Sequence, residues 1–243
     1  MMLAKCLAVV FLATSAVAEL PSFITVCGRR NPNLDKCVSN AMEELRGRLK
    51  VGIPEIDVPP QDPFHIKEFS LSNTDAFKAS ARDVTIRGIG DFVIESEHVD
   101  LKAQQFDLGL RFKKIIIDGE YDVNSKVVIP MSARGPIHIE ADDVTTAVTI
   151  KYKFVKINGV DHIRYSSVTT SLTVKDWKTE FTPSPTMDST LITAINAAIE
   201  GGRKEIFESI RPSIEKVISN VTMDLAKTFT DKVSYDELFP DRE

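Results

Sequence analysis

Residues 189–231, STLITAINAAIEGGRKEIFESIRPSIEKVISNVTMDLAKTFTD, form one long helical pattern. Apolar side chains recur every three or four positions, which predicts one apolar face of a helix. We expect Gly201-Gly202 and Pro212 to bend this helix without ending it, because the apolar stripe continues past both. About 40 residues at ~1.5 Å each give about 60 Å, whereas a compact globule of this size is only about 45 Å across. Either the helix is broken or the molecule is elongated along it. The stripe consists of Ile192, Ile195, Ile199, Ile206, Phe207, Ile210, Ile214, Val217, Val221, Leu225 and Phe229.

The middle of the chain, Phe64 to Phe181, has the alternating pattern of β-strands throughout. In FDLGLRF every second residue is apolar, and VTTAVTIKYKF repeats the alternation as far as Tyr152 and Phe154. Asn124-Ser125 and Asn158-Gly159 lie at hairpin spacing between such runs. Such alternation gives a sheet with one solvent-exposed face and one buried face, which indicates an antiparallel sheet. The apolar face of the sheet and the long apolar helix can bury each other. The predicted fold class is therefore α+β, with a long C-terminal helix wrapped by a strongly curved antiparallel sheet in an elongated molecule.

The N-terminal residues 1–18 have the pattern of a secretory signal peptide. Lys5 precedes an apolar run, and Ala16-Val17-Ala18 is a small-x-small cleavage pattern. The run is shorter than the about 20 residues of a membrane span. We therefore expect cleavage after Ala18, and a single domain over residues 19–243.

Two of the three cysteines, Cys27 and Cys37, remain after that cleavage. An even number of cysteines in an oxidising compartment predicts that these two form a disulfide. A zinc site requires four ligands at closer spacing, and redox catalysis requires two thiols about two residues apart, so the spacing of Cys27 and Cys37 favours neither. A helix should follow the disulfide loop, with Ser39 as its cap and Gly52 as its end.

The composition and motifs exclude several classes of function. The net charge of -5 gives no basic footprint for nucleic acid. The chain contains no G-x-S-x-G, Walker or G-x-G-x-x-G motif, so no enzyme activity and no cofactor are expected. The four histidines lack the spacing of metal ligands, so no metal site is predicted. Asn220-Val221-Thr222 is a glycosylation sequon inside the helical pattern.

Five segments resemble, in order and spacing, the insect takeout and juvenile hormone-binding protein family. They are LPSFITVCGRRNPNLDKCV, VGIPEIDVPPQDP, GEYDVNSKVVIP, RKEIFESIRPSIEKV and VSYDELFP. The resemblance covers nearly all of the chain after the signal peptide. It implies the fold of the tubular lipid-binding superfamily, in which a curved sheet wraps a long helix around an apolar tunnel. It also implies a secreted carrier of small hydrophobic molecules, without stable insertion into a membrane.

The chain departs from the family pattern at two points. No cysteine follows Cys37, whereas haemolymph hormone carriers usually have a second disulfide, and this favours the takeout branch. Arg203 stands where the family commonly has a tryptophan. On the apolar stripe this residue is either a cationic contact for a polar ligand end or, if the glycine pair shifts the helical phase, a solvent-facing side chain.

The expected function is a secreted carrier of an elongated hydrophobic ligand, such as a terpenoid like juvenile hormone or a fatty acid. The alternative is a secreted interaction protein that acts through its surface with no bound ligand. Tyr121, Tyr152 and Tyr165 are candidate polar contacts in an apolar pocket. Leu238 and Phe239 in the last segment are expected to pack back on the domain. The candidate tunnel-lining residues, for which plain core packing is the other interpretation, are Phe106, Leu108, Leu110, Phe112, Tyr152, Ile195, Ile199, Arg203, Phe207, Ile210 and Ile214.

Overall fold

The computed structural model describes residues 20–75, 77–125, 131–181, 189–231 and 233–243. The predicted signal peptide, residues 1–18, lies outside them. The helices are α1 Leu34–Val51, α2 Ser189–Gly201, α3 Arg203–Thr230 and α4 Tyr235–Leu238. The strands are β1 Phe64–Asn73, β2 Phe77–Arg87, β3 Val93–Asp100, β4 Gln105–Ser125, β5 Met131–Ile157 and β6 Val160–Phe181. The predicted strand region therefore begins and ends at the expected residues.

The strands form one antiparallel sheet in the order β1-β2-β4-β5-β6, and β3 pairs with the first part of β4. β4, β5 and β6 are long, and each pairs with its neighbour over most of its length. The sheet is strongly curved and α3 lies against it. The predicted α+β fold with a wrapped helix is confirmed.

Along the long strands, buried and exposed side chains alternate, and this alternation shifts by one residue part-way along each strand. On β5 the buried positions include Ala133 and Ala141 before residue 143, and Val144, Thr146 and Val148 after it. Asp143 itself has φ 55°, a left-handed conformation that few residues other than glycine adopt. β4 and β6 change phase at the same level, because their residues pair directly with this part of β5. A strand that changes face at one point twists there, so this level contributes to the curvature of the sheet.

Helix α1 starts earlier than the sequence predicted. It begins at Leu34, with the Cys37 amide donating to the Asn33 carbonyl at 3.0 Å. Ser39 is therefore inside the helix and is not its cap. The predicted end is confirmed, since Gly52 follows the last turn with φ 90°.

One of the two predicted hairpin turns is confirmed. Asn158 and Gly159 have φ 52° and 85° and connect β5 and β6 directly, as a two-residue turn requires. The other prediction was wrong in position. Asn124 and Ser125 are paired residues at the end of β4, and residues 126–130 lie outside the described part of the chain.

The C-terminal helical pattern is broken at its glycine pair, which the sequence predicted only to bend it. α2 ends at Gly201, and Gly202 has φ -112° and ψ 17°, outside the helical range. Two successive residues without side chains stabilise a helix poorly, so the break falls there. Pro212 remains inside α3, as predicted.

Helix α3 closes the gap between the two edges of the curved sheet. Its Ser213 hydroxyl donates to the Leu71 carbonyl of β1 at 2.6 Å. Its Glu215 carboxylate accepts from the Leu172 amide of β6 at 2.9 Å. The helix therefore satisfies backbone groups on both edge strands. No helix in the described part of the chain is long and apolar enough to cross a membrane.

Candidate ligand-binding site

Among the described residues, the largest apolar cluster lies between α3 and the concave face of the sheet. Its buried members are Phe92, Phe112, Ile115, Ala141, Val144 and Leu172. A larger group packs against them without being fully buried: Ile86, Ile89, Ile94, Leu110, Ile117, Val174, Trp177, Phe207, Ile214 and Ile218. Four of the predicted lining residues, Leu110, Phe112, Phe207 and Ile214, thus meet in one cluster, and all of them except Phe112 are only partly buried.

A cavity of about 440 Å³ lies beside this cluster, between β6 and the start of α3. Four of its lining residues are apolar, among them Leu172, Val174 and Phe207, and the other seven are polar or charged, among them Arg203 and Asp176. This volume is in the range of small-molecule pockets, about 300–1,000 Å³. The complete lining is Leu172, Thr173, Val174, Lys175, Asp176, Trp177, Arg203, Lys204, Phe207, Glu208 and Arg211.

The Arg203 guanidinium lies at the cavity with its charge already paired. It contacts Asp176 of β6, lies 3.2 Å from a Glu200 carboxylate oxygen, and stacks over the Trp177 ring at 5.3 Å. Its side chain is 24% exposed. The hydrogen bond from Arg203 lowers the pKa of Asp176, so the pair stays ionised at neutral pH. A carboxylate ligand would have to compete with two protein carboxylates for this cation.

A second cluster, which is largely aromatic, lies at the end of the sheet where β5 and β6 meet. Tyr152 is 2% exposed, and its ring stacks on Phe106 with centroids 5.2 Å apart. Tyr235 and Phe239 of the C-terminal segment cover these rings, with Phe239 6.0 Å from Phe106. Phe106 and Tyr152, both predicted lining residues, therefore belong to this cluster and not to the one against α3. Leu238 and Phe239 pack back on the domain as predicted.

The Tyr152 hydroxyl is buried and has no hydrogen-bond partner among the described residues. Burial raises its pKa well above the ordinary value, so it is a neutral donor. Tyr165 is its neighbour across the β5–β6 ladder and differs in this respect. The Tyr165 hydroxyl hydrogen-bonds to Thr230, and burial raises its pKa to about 12. An unpaired buried hydroxyl beside a paired one is therefore a candidate for a polar contact with a bound molecule.

The C-terminal segment that covers the aromatic cluster is held by the disulfide loop. Cys27 and Cys37 are bonded, as predicted. The Arg29 amide donates to the Pro240 carbonyl at 2.9 Å, and the Arg29 side chain contacts Asp236 and lies over the Tyr235 ring. The disulfide therefore stabilises the loop that fixes the last residues of the chain, a role that the spacing of the two cysteines alone does not reveal.

The other predicted lining residues whose side chains the structure describes are in neither of the two clusters and do not line the 440 Å³ cavity. Leu108, Ile199 and Ile210 are half-buried on β4, α2 and α3, and the Ile195 side chain lies outside the described part of the structure. Asn220 is exposed on α3. Trp177, Leu172 and Val174 line the cavity but were missed. Leu172 and Val174 continue an alternating pattern that was visible in the sequence, whereas Trp177 follows the change of phase and so falls outside that pattern. Within the described ranges, no group of three His, Cys, Asp or Glu side chains is arranged to hold a metal ion.

The described structure is thus a curved sheet closed by a long helix, with partly buried apolar side chains between the two. Residues 6–240 match the family described as haemolymph juvenile hormone binding protein, and the chain belongs to that family. The members of that family are binding proteins for hydrophobic ligands. The resemblance found in the sequence is thereby confirmed.

Two similar proteins illustrate the relationship. The chain is 24% identical over 219 residues, which cover 87% of it and 86% of the relative, to a protein of Schistocerca gregaria named "Putative beta-carotene-binding protein". The crystal structure of Epiphyas postvittana Takeout 1 superposes with a TM-score of 0.74 and 18% identity, over 89% of this chain and 99% of that one. The second likeness establishes the fold.

Proposed function

We propose that this protein is a secreted carrier that holds one small, elongated hydrophobic molecule between α3 and the concave face of the sheet. The candidate ligands are a terpenoid such as juvenile hormone, a fatty acid or a similar lipid. The name of the Schistocerca relative supports an isoprenoid among the candidates. The driving force is burial of apolar ligand surface, about 25 cal/mol per Å².

The observation that carries the proposal is the partial burial of the apolar side chains that pack against the cluster under α3. Phe207 and Ile214 of α3 and Leu110 and Val174 of the sheet contact a buried cluster but keep accessible surface. In a filled core these side chains would be covered by one another, because protein interiors pack as densely as organic crystals. A bound apolar molecule would cover that surface, so we propose an apolar tunnel that includes the 440 Å³ cavity.

The ligand's polar end has a candidate contact in Tyr152. This hydroxyl is a buried donor without a protein partner in the described structure, and its ring belongs to the cluster at one end of the sheet. Arg203 is the weaker candidate because Asp176 and Glu200 already pair with it. Tyr152 belongs to the aromatic cluster and not to the one against α3, and it lies six residues of β5 beyond Thr146, the partner of the cavity residue Leu172, or about 20 Å of strand. A ligand that contacts Tyr152 must therefore be elongated, with an apolar body that extends along α3 from the cavity and one oxygen function at its far end.

Secretion and domain organisation complete the proposal. The disulfide suits an oxidising compartment and supports the signal peptide at residues 1–18. The rest, residues 19–243, is proposed to be one domain, with Asn220 as an exposed glycosylation site on α3. Mass spectrometry of the secreted protein should give an N-terminus at Glu19 and a glycan on Asn220. A retained leader would contradict secretion.

The function is tested by ligand recovery and by thermal stability. An organic extract of protein purified from its natural source should contain a hydrophobic molecule, and adding that molecule should raise Tm with the logarithm of its concentration. Phe207→Ala removes part of the cavity wall and should weaken binding at least tenfold. Leu45→Ala is the matched control, since Leu45 is buried in the separate cluster formed with Ile53 and Val58. It should lower Tm and leave affinity unchanged.

The alternative, a protein that acts through its surface with no ligand, predicts the opposite results. Extracts would then contain no hydrophobic molecule, and neither terpenoids nor fatty acids would change Tm. Equal loss of affinity in Phe207→Ala and Leu45→Ala would also contradict a ligand at the proposed site.

A further inference from the structure

The tip of the β5–β6 hairpin, residues 151–164, exposes a group of large apolar side chains to solvent. Phe154 is 38% exposed, Ile157 42% and Val160 45%. Asn158 and Gly159 form the turn between them, and no atom lies within 4 Å of a Cβ built on Gly159. The turn therefore projects from the fold with apolar residues on both of its sides.

The pairing register assigns these side chains to faces of the hairpin. Tyr152 and Ile163 are buried, so they point into the fold. Lys153 pairs with Arg164, one position away from each, and both therefore point outward. Ile157 and Val160 pair at the tip, four residues further along and on that same outward face. One face of the hairpin thus has an apolar tip with cations behind it.

The cation pair does not stabilise the sheet. Two like charges directly opposite each other in an antiparallel ladder are destabilising. No carboxylate in the described part of the chain lies within ion-pair distance of Lys153 or Arg164. Asp161 is nearby but pairs with Lys156 at 2.9 Å, and Asp231 shares with Arg164 a cavity of about 260 Å³ at the end of α3. The two cations therefore suit an anionic partner outside the chain.

The spacing of the two features fits a lipid surface. Four residues of strand separate the apolar tip from the cation pair by about 13 Å. Interfacial segments bury apolar side chains ~5–10 Å into the boundary between headgroups and acyl chains, and their cations stay at the anionic headgroups. The whole chain has a net charge of -5, so the positive charge of Lys153 and Arg164 is a local feature of the hairpin. We propose that the β5–β6 hairpin tip docks on membranes that contain anionic phospholipids.

Docking at this point would bring the bilayer close to one end of the interior. The exposed Phe154 packs edge-on against Tyr235 at 4.7 Å, and Tyr235 covers the aromatic cluster around Tyr152. Transfer of a hydrophobic ligand to or from a membrane would then begin at this end. This consequence rests on the proposed carrier function, whereas the docking itself does not.

The proposal is tested by flotation of the protein, residues 19–243, with phosphatidylcholine vesicles that either contain or lack phosphatidylserine. At low salt the wild type should float with the anionic vesicles only, and high salt should release it. Lys153→Gln with Arg164→Gln should weaken binding about 25-fold, at about fivefold for each cation. Ile157→Ser with Val160→Ser should weaken it at least tenfold.

Matched controls separate the tip from general surface effects. Val51→Ser removes an apolar side chain that is 74% exposed on α1. Lys78→Gln removes an exposed cation from β2, where it pairs with Asn124 at the opposite end of the sheet. Both controls should bind vesicles as the wild type does. None of the four variants should lower Tm, because every changed side chain is exposed, and Lys153→Gln with Arg164→Gln should keep or raise it because two like charges that face each other are removed.

Three results would overturn the proposal. They are failure of the wild type to float with anionic vesicles, equal binding to neutral vesicles, and equal losses in the tip variants and the controls. Ligand binding measured in solution is a separate readout, so its failure would contradict the carrier function and not the docking.

Discussion

Replacement of Tyr152 by phenylalanine should stabilise the empty protein and weaken the binding of ligands with a polar end. The hydroxyl is buried, with no partner among the described residues, and its ring is 2% exposed. An unpaired buried hydroxyl costs about 1–3 kcal/mol, so its removal should raise the free energy of unfolding by about 1 kcal/mol or more. For a domain of this size that is an increase in Tm of about 2–4 °C.

Tyr165→Phe is the matched control for that experiment. This neighbouring hydroxyl bonds to Thr230, so its removal should lower stability by about 1 kcal/mol. Differential scanning calorimetry of the ligand-free proteins should therefore give shifts of opposite sign. Tyr152→Phe should also reduce the affinity for an alcohol or epoxide ligand by roughly five- to tenfold, the equivalent of about 1–1.4 kcal/mol, and leave that for the matching hydrocarbon unchanged.

The outcome that refutes this reasoning is a decrease in Tm for Tyr152→Phe similar to that for Tyr165→Phe. The Tyr152 hydroxyl would then have a partner in the empty protein, and the polar contact proposed for the ligand would lose its basis. An equal loss of affinity for polar and hydrocarbon ligands would point to altered packing of the aromatic ring and not to the hydroxyl.

Three further predictions concern the disulfide, Glu97 on β3, and the glycines at positions 28 and 47. Loss of the disulfide in Cys27→Ser with Cys37→Ser should lower the free energy of unfolding by about 3 kcal/mol, measured by urea denaturation; no change would contradict its role. Burial raises the pKa of Glu97 from 4.5 to about 7, so the folded state binds more protons between these values and stability should fall as pH rises through that window, by about 1–2 kcal/mol after screening. Glu97→Gln should flatten this pH dependence of Tm, and an unchanged slope would exclude Glu97 as its source. A side chain at Gly28 would clash with the backbone of the C-terminal residues, so Gly28→Ala should destabilise by about 1–3 kcal/mol, whereas Gly47→Ala, open on α1, should stabilise by about 0.5–1 kcal/mol; equal shifts would refute the close approach.

The architecture was predictable because it depends on local periodicity. Alternation gave the strand region from Phe64 to Phe181, and a period near 3.6 gave the C-terminal helical region. The break at Gly202 was underestimated because the apolar stripe continues on both sides of it, and periodicity does not measure how weakly two glycines hold a helix. Ser39 was a plausible cap by residue type, but the helix starts at Leu34, before the second cysteine.

The site was only partly predictable, for reasons that involve distant residues. Phe106 and Phe112 are on one face of the same strand, yet they belong to different clusters because different elements cover the two ends of the sheet. Trp177 lines the cavity only because β6 changes face together with β5 near Asp143. Such a change depends on pairing between strands, which no periodicity within one strand contains.

The closure of the sheet by α3 separates the stability of the sheet from the volume that it encloses. β1 and β6 do not pair with each other, and α3 contacts both through side chains such as Ser213 and Glu215. A change in side-chain size along α3 would therefore move the helix relative to the two edges without breaking a backbone hydrogen bond between strands. The capacity of the interior can thus evolve through a few helical positions while the strand ladder stays intact. A barrel closed by continuous strand pairing lacks this freedom, because its diameter is set by strand number and stagger.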